Sequence, residues 1–143
     1  MNPFQSLLDY EEFVYTLQQS YSSIKSSSLV VIRRGKRVGI LQGELTFDDG
    51  YRIVIRERLS FDSLVEIEDY GYELWHDAEK FAWYDSQPHP NDPTLASTHP
   101  HHKHVPPNIK RNRIPAPNIS FTKPNLPFLI QEVEDLIKKI KSK

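Results

Sequence analysis

The chain has no cysteine, which excludes a disulfide framework and every metal centre built on thiolates. No apolar run approaches the roughly 18 residues of a membrane span, and the opening "MNPFQSLLDYEEF" lacks the basic start and apolar stretch of a secretory leader. The expectation is a cytoplasmic, prokaryotic protein with no membrane part. There is no serine or cysteine nucleophile motif, no phosphate-cradling glycine loop, no dinucleotide fingerprint and no internal repeat. Between residues 101 and 123 there is no acidic residue at all.

What is present is an ordinary globular composition, 38% hydrophobic and 26% charged over 143 residues. That length predicts a single domain over 1–143, able to bury about two thirds of its unfolded surface. The net charge of −1 hides an asymmetry: residues 1–100 hold nine Lys/Arg against sixteen Asp/Glu, and residues 101–143 hold nine against three. The acid-free arm carries Lys103, Lys110, Arg111, Arg113 and Lys123. It either lies on the chain's own acidic sheet or offers a positive strip to phosphates, with Lys110, Arg111 and Arg113 as the nucleic-acid-binding candidates.

Leu7, Leu8, Phe13, Val14, Leu17, Tyr21 and Ile24 recur at helical spacing and predict an N-terminal helix within 1–28. The period then changes to two. "LVVIRRGKRVGILQGELTF", the turn "DDG", "YRIVIRE", "VEIEDYGYELWH" and "FAWYDS" predict an antiparallel meander of about five strands over 29–86. A last hairpin with His76 opposite Phe81 puts Tyr72, Leu74, Trp83 and Asp85 on one face and Glu73, Trp75, Ala82 and Tyr84 on the other. Trp75, Trp83 and Tyr72 are read as sheet packing. Ten of the eleven prolines follow Ser86, so 87–124 reads as a stiffened Pro/His-rich loop without inner strands. "NLPFLIQEVEDLIKKIKSK" predicts a C-terminal helix over 125–143, with Asn125 as its cap. The fold class is therefore α+β.

Five of the six histidines lie in "PHPNDPTLASTHPHHKHVPP", residues 88–107. Imidazole exchanges protons near neutral pH and ligates metals. The usual metal spacings are missing, although His-x-His on an extended segment points both rings to one side. The reading is a site without metal or other cofactor. Cleavage of RNA by its own 2′-hydroxyl needs a base, an acid and a cation for the phosphorane charge, and "HPHHKH" supplies those types, with Asp85 or Asp92 to orient a ring. The packing alternative has the imidazoles anchoring the loop through carbonyl hydrogen bonds.

"WYDSQPHP" followed by "HPHHKH", with "GELTFDDGYRIVIRE" before them, resembles the signature of the TumE family of toxin-antitoxin proteins over about residues 38–140. The matching positions are Tyr84, Asp85, Pro88, His89, Pro100, His101, His102, Lys103 and His104, with Asp49, Gly50 and Glu57 in the hairpin. Trp83 stands where the family pattern has arginine, Ser86 where it has asparagine, and Pro90 where a second histidine is common. The resemblance implies a toxin with a cognate antitoxin as partner. The leading expectation is a metal-independent ribonuclease with His101 or His104 as base or acid, His89 as counterpart, Asp85 as orienter and Lys103 as phosphate cation. The other is a non-catalytic protein-binding or regulatory module.

Overall fold

The structure is a computed structural model that describes residues 2–142; Met1 and Lys143, the outer ends of the expected domain and of its two terminal helices, lie outside the described residues. The N-terminal helix is α1 (Leu7–Tyr15), capped where the Ser6 hydroxyl accepts from the Asp9 amide, followed by the short turn α2 (Leu17–Ser20). Helix ends here, short of the expected 28, because β1 (Ser26–Ser27) already pairs with β3 (Val38–Thr46). β2 (Val30–Arg33) pairs with the same strand further along.

From β3 the chain runs through the hairpins β3–β4 (Tyr51–Ser60), β4–β5 (Glu66–His76) and β5–β6 (Glu79–Asp85). Alternation sets the faces. Along β4, Tyr51, Ile53, Ile55, Glu57 and Leu59 are buried while Arg52, Arg56 and Arg58 point outward. The "DDG" turn needs Gly50 at φ 80°, and a Cβ there would lie 2.0 Å from Asp77 Oδ1 in the adjoining turn.

Two differences from the sequence reading position the site. The β5–β6 turn uses only Asp77 and Ala78, so His76 pairs with Glu79, and a bulge at Leu74/Trp75 brings Tyr72 opposite Tyr84. Beyond the bulge the register is therefore one residue away from the expected one, and the faces exchange: Tyr72, Leu74, Ala82 and Tyr84 are buried while Trp83 and Asp85 stand on the outer face. Second, the Pro/His-rich region is not a plain loop. It adds β7 (His102–His104) and β8 (Arg113–Pro115), making one antiparallel sheet of eight strands rather than about five. The four residues between Pro100 and Val105 are free of proline, so β7 pairs on both sides, while Pro115 sits on the edge strand, where a missing donor costs least.

Both terminal helices cover the inner face, giving the α+β class. α3 (Leu126–Lys141) buries Leu126, Leu129, Ile130, Val133 and Ile137. Each contributes about 1.5–3 kcal/mol by leaving water, so Ile130→Ala alone costs about 2–5 kcal/mol. Asn125 stands at the helix start without capping it: its amide donates to Tyr72 Oη and the Ser120 carbonyl and accepts from the Ser120 amide. No helix among the described residues is long and apolar enough to cross a membrane.

Candidate active site

Strand register gathers the polar side chains. β6–β7 pairs Trp83 with His104 and Asp85 with His102, and β7–β8 pairs His104 with Arg113. Directly paired residues project from the same face, and residues two apart do too. Trp83, Asp85, His102, His104 and Arg113 therefore all belong to the outer face of three adjacent strands. Tyr84 and Lys103, also paired, belong to the inner face.

Asp85 is the hub. Its Oδ1 lies 2.9 Å from His102 Nε2, its Oδ2 lies 3.2 Å from His104 Nε2, and the two Nε2 atoms are 3.2 Å apart. The carboxylate also accepts from Trp83 Nε1–H at 2.7 Å and from the Gln87 amide at 3.0 Å. On their far sides, His102 Nδ1 lies 3.0 Å from the Pro100 carbonyl and His104 Nδ1 lies 2.6 Å from the Ile109 carbonyl. A carbonyl oxygen can only accept, so both rings carry hydrogen on Nδ1, and in the neutral form both Nε2 lone pairs face Asp85.

Charge follows burial and partners. Burial pushes the Asp85 carboxyl up, but hydrogen bonds from His102 and Trp83, the His102 charge and the Gln87 amide hold it well below the usual carboxylate range. Burial pulls His102 down, yet Asp85 and the Pro100 carbonyl leave it raised. Burial dominates at His104, which is lowered. The two rings are 1% and 4% exposed, whereas the Asp85 side chain is 24% exposed and reaches solvent. Trp83 stacks on His104 with centroids 3.8 Å apart, and the Lys80 ammonium lies 4.4 Å from the Trp83 centroid.

Beside this centre stands a second pair. Arg113 Nη1 lies 2.9 Å from the His89 ring nitrogens, and the His89 ring meets His102 edge to face at 4.9 Å. Burial, then the Arg113 and His102 charges, lower His89, which favours its neutral, proton-accepting form. The buried Arg113 Nε–H has no partner among the described residues. His89, Asp92 and Arg113 line a cavity of about 370 Å³, and a groove of about 930 Å³ runs over the outer face past Arg56, Lys80, Trp83 and Asp85.

Of the expected site residues, Asp85, His89 and His104 come together, and Arg113 joins them from the basic arm. His101 does not: its Nδ1 lies 2.7 Å from Tyr70 Oη, and its ring packs on Phe121 at 4.5 Å. Lys103 reaches the other face, where its Nζ lies 2.6 Å from Glu132 of α3. Lys110 and Arg111 are exposed between β7 and β8. His102 was the omitted partner and Trp83 the omitted stacking residue. The signal for His102 was its i, i+2 spacing from His104, which shares a face only if the segment is a strand.

These features define a small α+β protein that carries a histidine–carboxylate–arginine cluster on the outer face of its sheet, next to an open groove. The family model described as Toxin TumE matches residues 13–137, and the chain belongs to the TumE toxin family. No curated protein and no solved structure matches it.

Proposed function

We propose that this toxin, restrained by a cognate antitoxin, cleaves RNA at the outer-face cluster. The observation that carries the reading is that an imidazole biased towards its neutral form, an arginine with an unpartnered donor and an ionised carboxylate paired with an imidazole meet beside an open groove. In that reaction His89 takes the 2′-hydroxyl proton and the 2′-oxygen attacks the adjacent phosphorus. Arg113 meets the developing phosphorane charge. The 5′-oxygen departs with a proton from groove water, which the protonated His89 then replaces, leaving a 2′,3′-cyclic phosphate. Lys110 and Arg111 draw in the backbone of a single strand. His101 and Lys103 hold the element in place.

The test is cleavage of a short RNA by the full-length chain, with the product's 2′,3′-cyclic end as readout. His89→Ala and Arg113→Ala should each lose at least about 100-fold in rate, with melting temperatures within a few degrees of the parent. A matched RNA with a 2′-deoxy linkage should survive. Absence of cleavage by the folded parent chain, with or without divalent cations, overturns the reading.

One observation favours a second reading. His101, His102 and His104 all bind internal oxygens, and Lys103 is tied to Glu132. On that reading the element pins the basic arm to the sheet and the toxin acts as a protein-binding module. His102→Ala would then cost stability and partner affinity while the RNA stayed intact.

A further inference from the structure

The short contacts around Asp85 cannot all be satisfied by protons. With both Nδ1 atoms committed to carbonyls, neutral rings leave two Nε2 lone pairs and a carboxylate facing one another at 2.9–3.2 Å. One proton on His102 satisfies its contact with Asp85 but leaves His104 Nε2 lone pair to lone pair against Oδ2. A second proton on His104 mends that contact and sets two imidazolium N–H groups against each other at 3.2 Å. Both rings are almost fully buried, so solvent does not relieve any of these arrangements.

A cation in the middle satisfies all three at once. We propose that Asp85, His102 and His104 bind one divalent transition-metal ion of the zinc, cobalt or nickel type. A tetrahedral ion with bonds near 2.0–2.1 Å holds its donor atoms about 3.3 Å apart, and the donors of these three residues can all lie within 4.8 Å of one another. Each Nε2 already lies within a few tenths of an ångström of that spacing from its own nearer Asp85 oxygen and from the other ring. Each donor is braced from behind: His102 by Pro100, His104 by Ile109, and Asp85 by the Trp83 indole and the Gln87 amide. That outer support fixes tautomer and ring orientation, as it does around functional metal ions. Two imidazoles select a borderline first-row ion over magnesium or calcium, which take oxygen donors.

Three protein donors leave at least one coordination position for water or a substrate oxygen, on the side where Asp85 reaches the groove. The sequence shows that an extended His-x-His points both rings to one side, but the expectation of a plain loop over 87–124 gave no reason for that geometry, and the third donor lies 17 residues before the pair. Binding stands on the donor set and does not rest on RNA cleavage. If cleavage holds, the ion is the positive charge at the centre.

The test uses the full-length chain made by cell-free translation without a polyhistidine tag, stripped with chelator and titrated with zinc and with cobalt by calorimetry. No RNA is present, so its outcome is separate from that of the cleavage assay. One equivalent should bind, the cobalt form should show the intense visible bands of a low-coordinate site, and magnesium should not compete. Asp85→Asn and His102→Gln should each weaken zinc by more than about 10-fold, while His99→Gln, at an exposed histidine, should change nothing. Asp85→Asn keeps shape at a partly exposed position, so it carries the test if His102→Gln does not fold, with circular dichroism as the check. No saturable binding, or binding that ignores Asp85→Asn and falls with His99→Gln, overturns the site.

Discussion

Glu57 and Asp85 are carboxylates on one sheet, facing opposite ways, and they meet burial by different means. Glu57 points inward, has no exposed surface, and accepts hydrogen bonds from the hydroxyls of Tyr10 and Tyr72 at 2.5 Å each. Those donors are neutral, and burial wins: the Glu57 carboxyl is pushed up to about 7. Asp85 points outward and is gripped by an imidazole that can carry charge, and it stays ionised well below the ordinary range. Two tyrosine hydroxyls do not offset the full burial of Glu57, whereas at the partly exposed Asp85 the hydrogen bonds from His102 and Trp83, the His102 charge and the Gln87 amide together outweigh burial. The inner face thus uses its acid as a clasp between α1, the sheet and, through Asn125, the start of α3, and the outer face keeps its acid ionised.

The sharpest way to break this contrast is Glu57→Ala, which opens a cavity and strands two buried hydroxyls. It should cost about 4 kcal/mol in urea unfolding; a loss under about 1 kcal/mol would show that the clasp is dispensable. Next comes pH. The folded chain holds a proton on Glu57 up to about pH 7, while an unperturbed carboxyl releases it near 4.5. This contribution is therefore fully present below pH 4.5 and is lost as pH rises towards 7. It is of order 3 kcal/mol over that window. The parent's urea midpoint should fall across it relative to Glu57→Gln, and parallel curves would contradict the raised carboxyl.

Asp85→Asn sharpens the other side. Keeping the shape at a partly exposed position, it should cost only about 1–2 kcal/mol in chelator-treated protein, no more than half the effect of Glu57→Ala; equal losses would erase the distinction between the two carboxylates. The smallest stability effect belongs to Lys110→Ala with Arg111→Ala, within about 0.5 kcal/mol of the parent. The salt dependence of binding to a short single-stranded RNA should nevertheless flatten by about two ion equivalents at most. An unchanged slope removes both residues from the RNA path.

Much of the frame was legible. The helical stripe from Leu126 to Ile137, the period of two through β3 and β4 and the "DDG" turn all carry strong local signals that the fold obeys. The β5–β6 register was not legible, because a shorter turn shifts the pairs beside it by two and the bulge leaves those beyond it shifted by one, and neither leaves a mark in residue type. β7 and β8 were hidden for another reason: each is three residues long among prolines, and their pairing comes from a neighbour rather than from propensity. Without β7 as a strand, the pairing of His102 with His104 had no period to reveal it. Arg113 was read as part of a phosphate-binding arm, and only the β7–β8 register brings it beside His89.

Because β7 is stitched to β6 on one side and β8 on the other, the positions of His102, His104 and Arg113 are set by neighbouring backbone and not by the segments that lead to them. Within the connections 87–101 and 105–112, the stretches away from Gln87, His89, Pro100 and Ile109, which do touch the cluster, can therefore lengthen or shorten while it keeps its shape. Such a layout is forgiving to inheritance: insertions and deletions that would scramble a site carried on loops can accumulate here as harmless variation, or as new reach towards a different target.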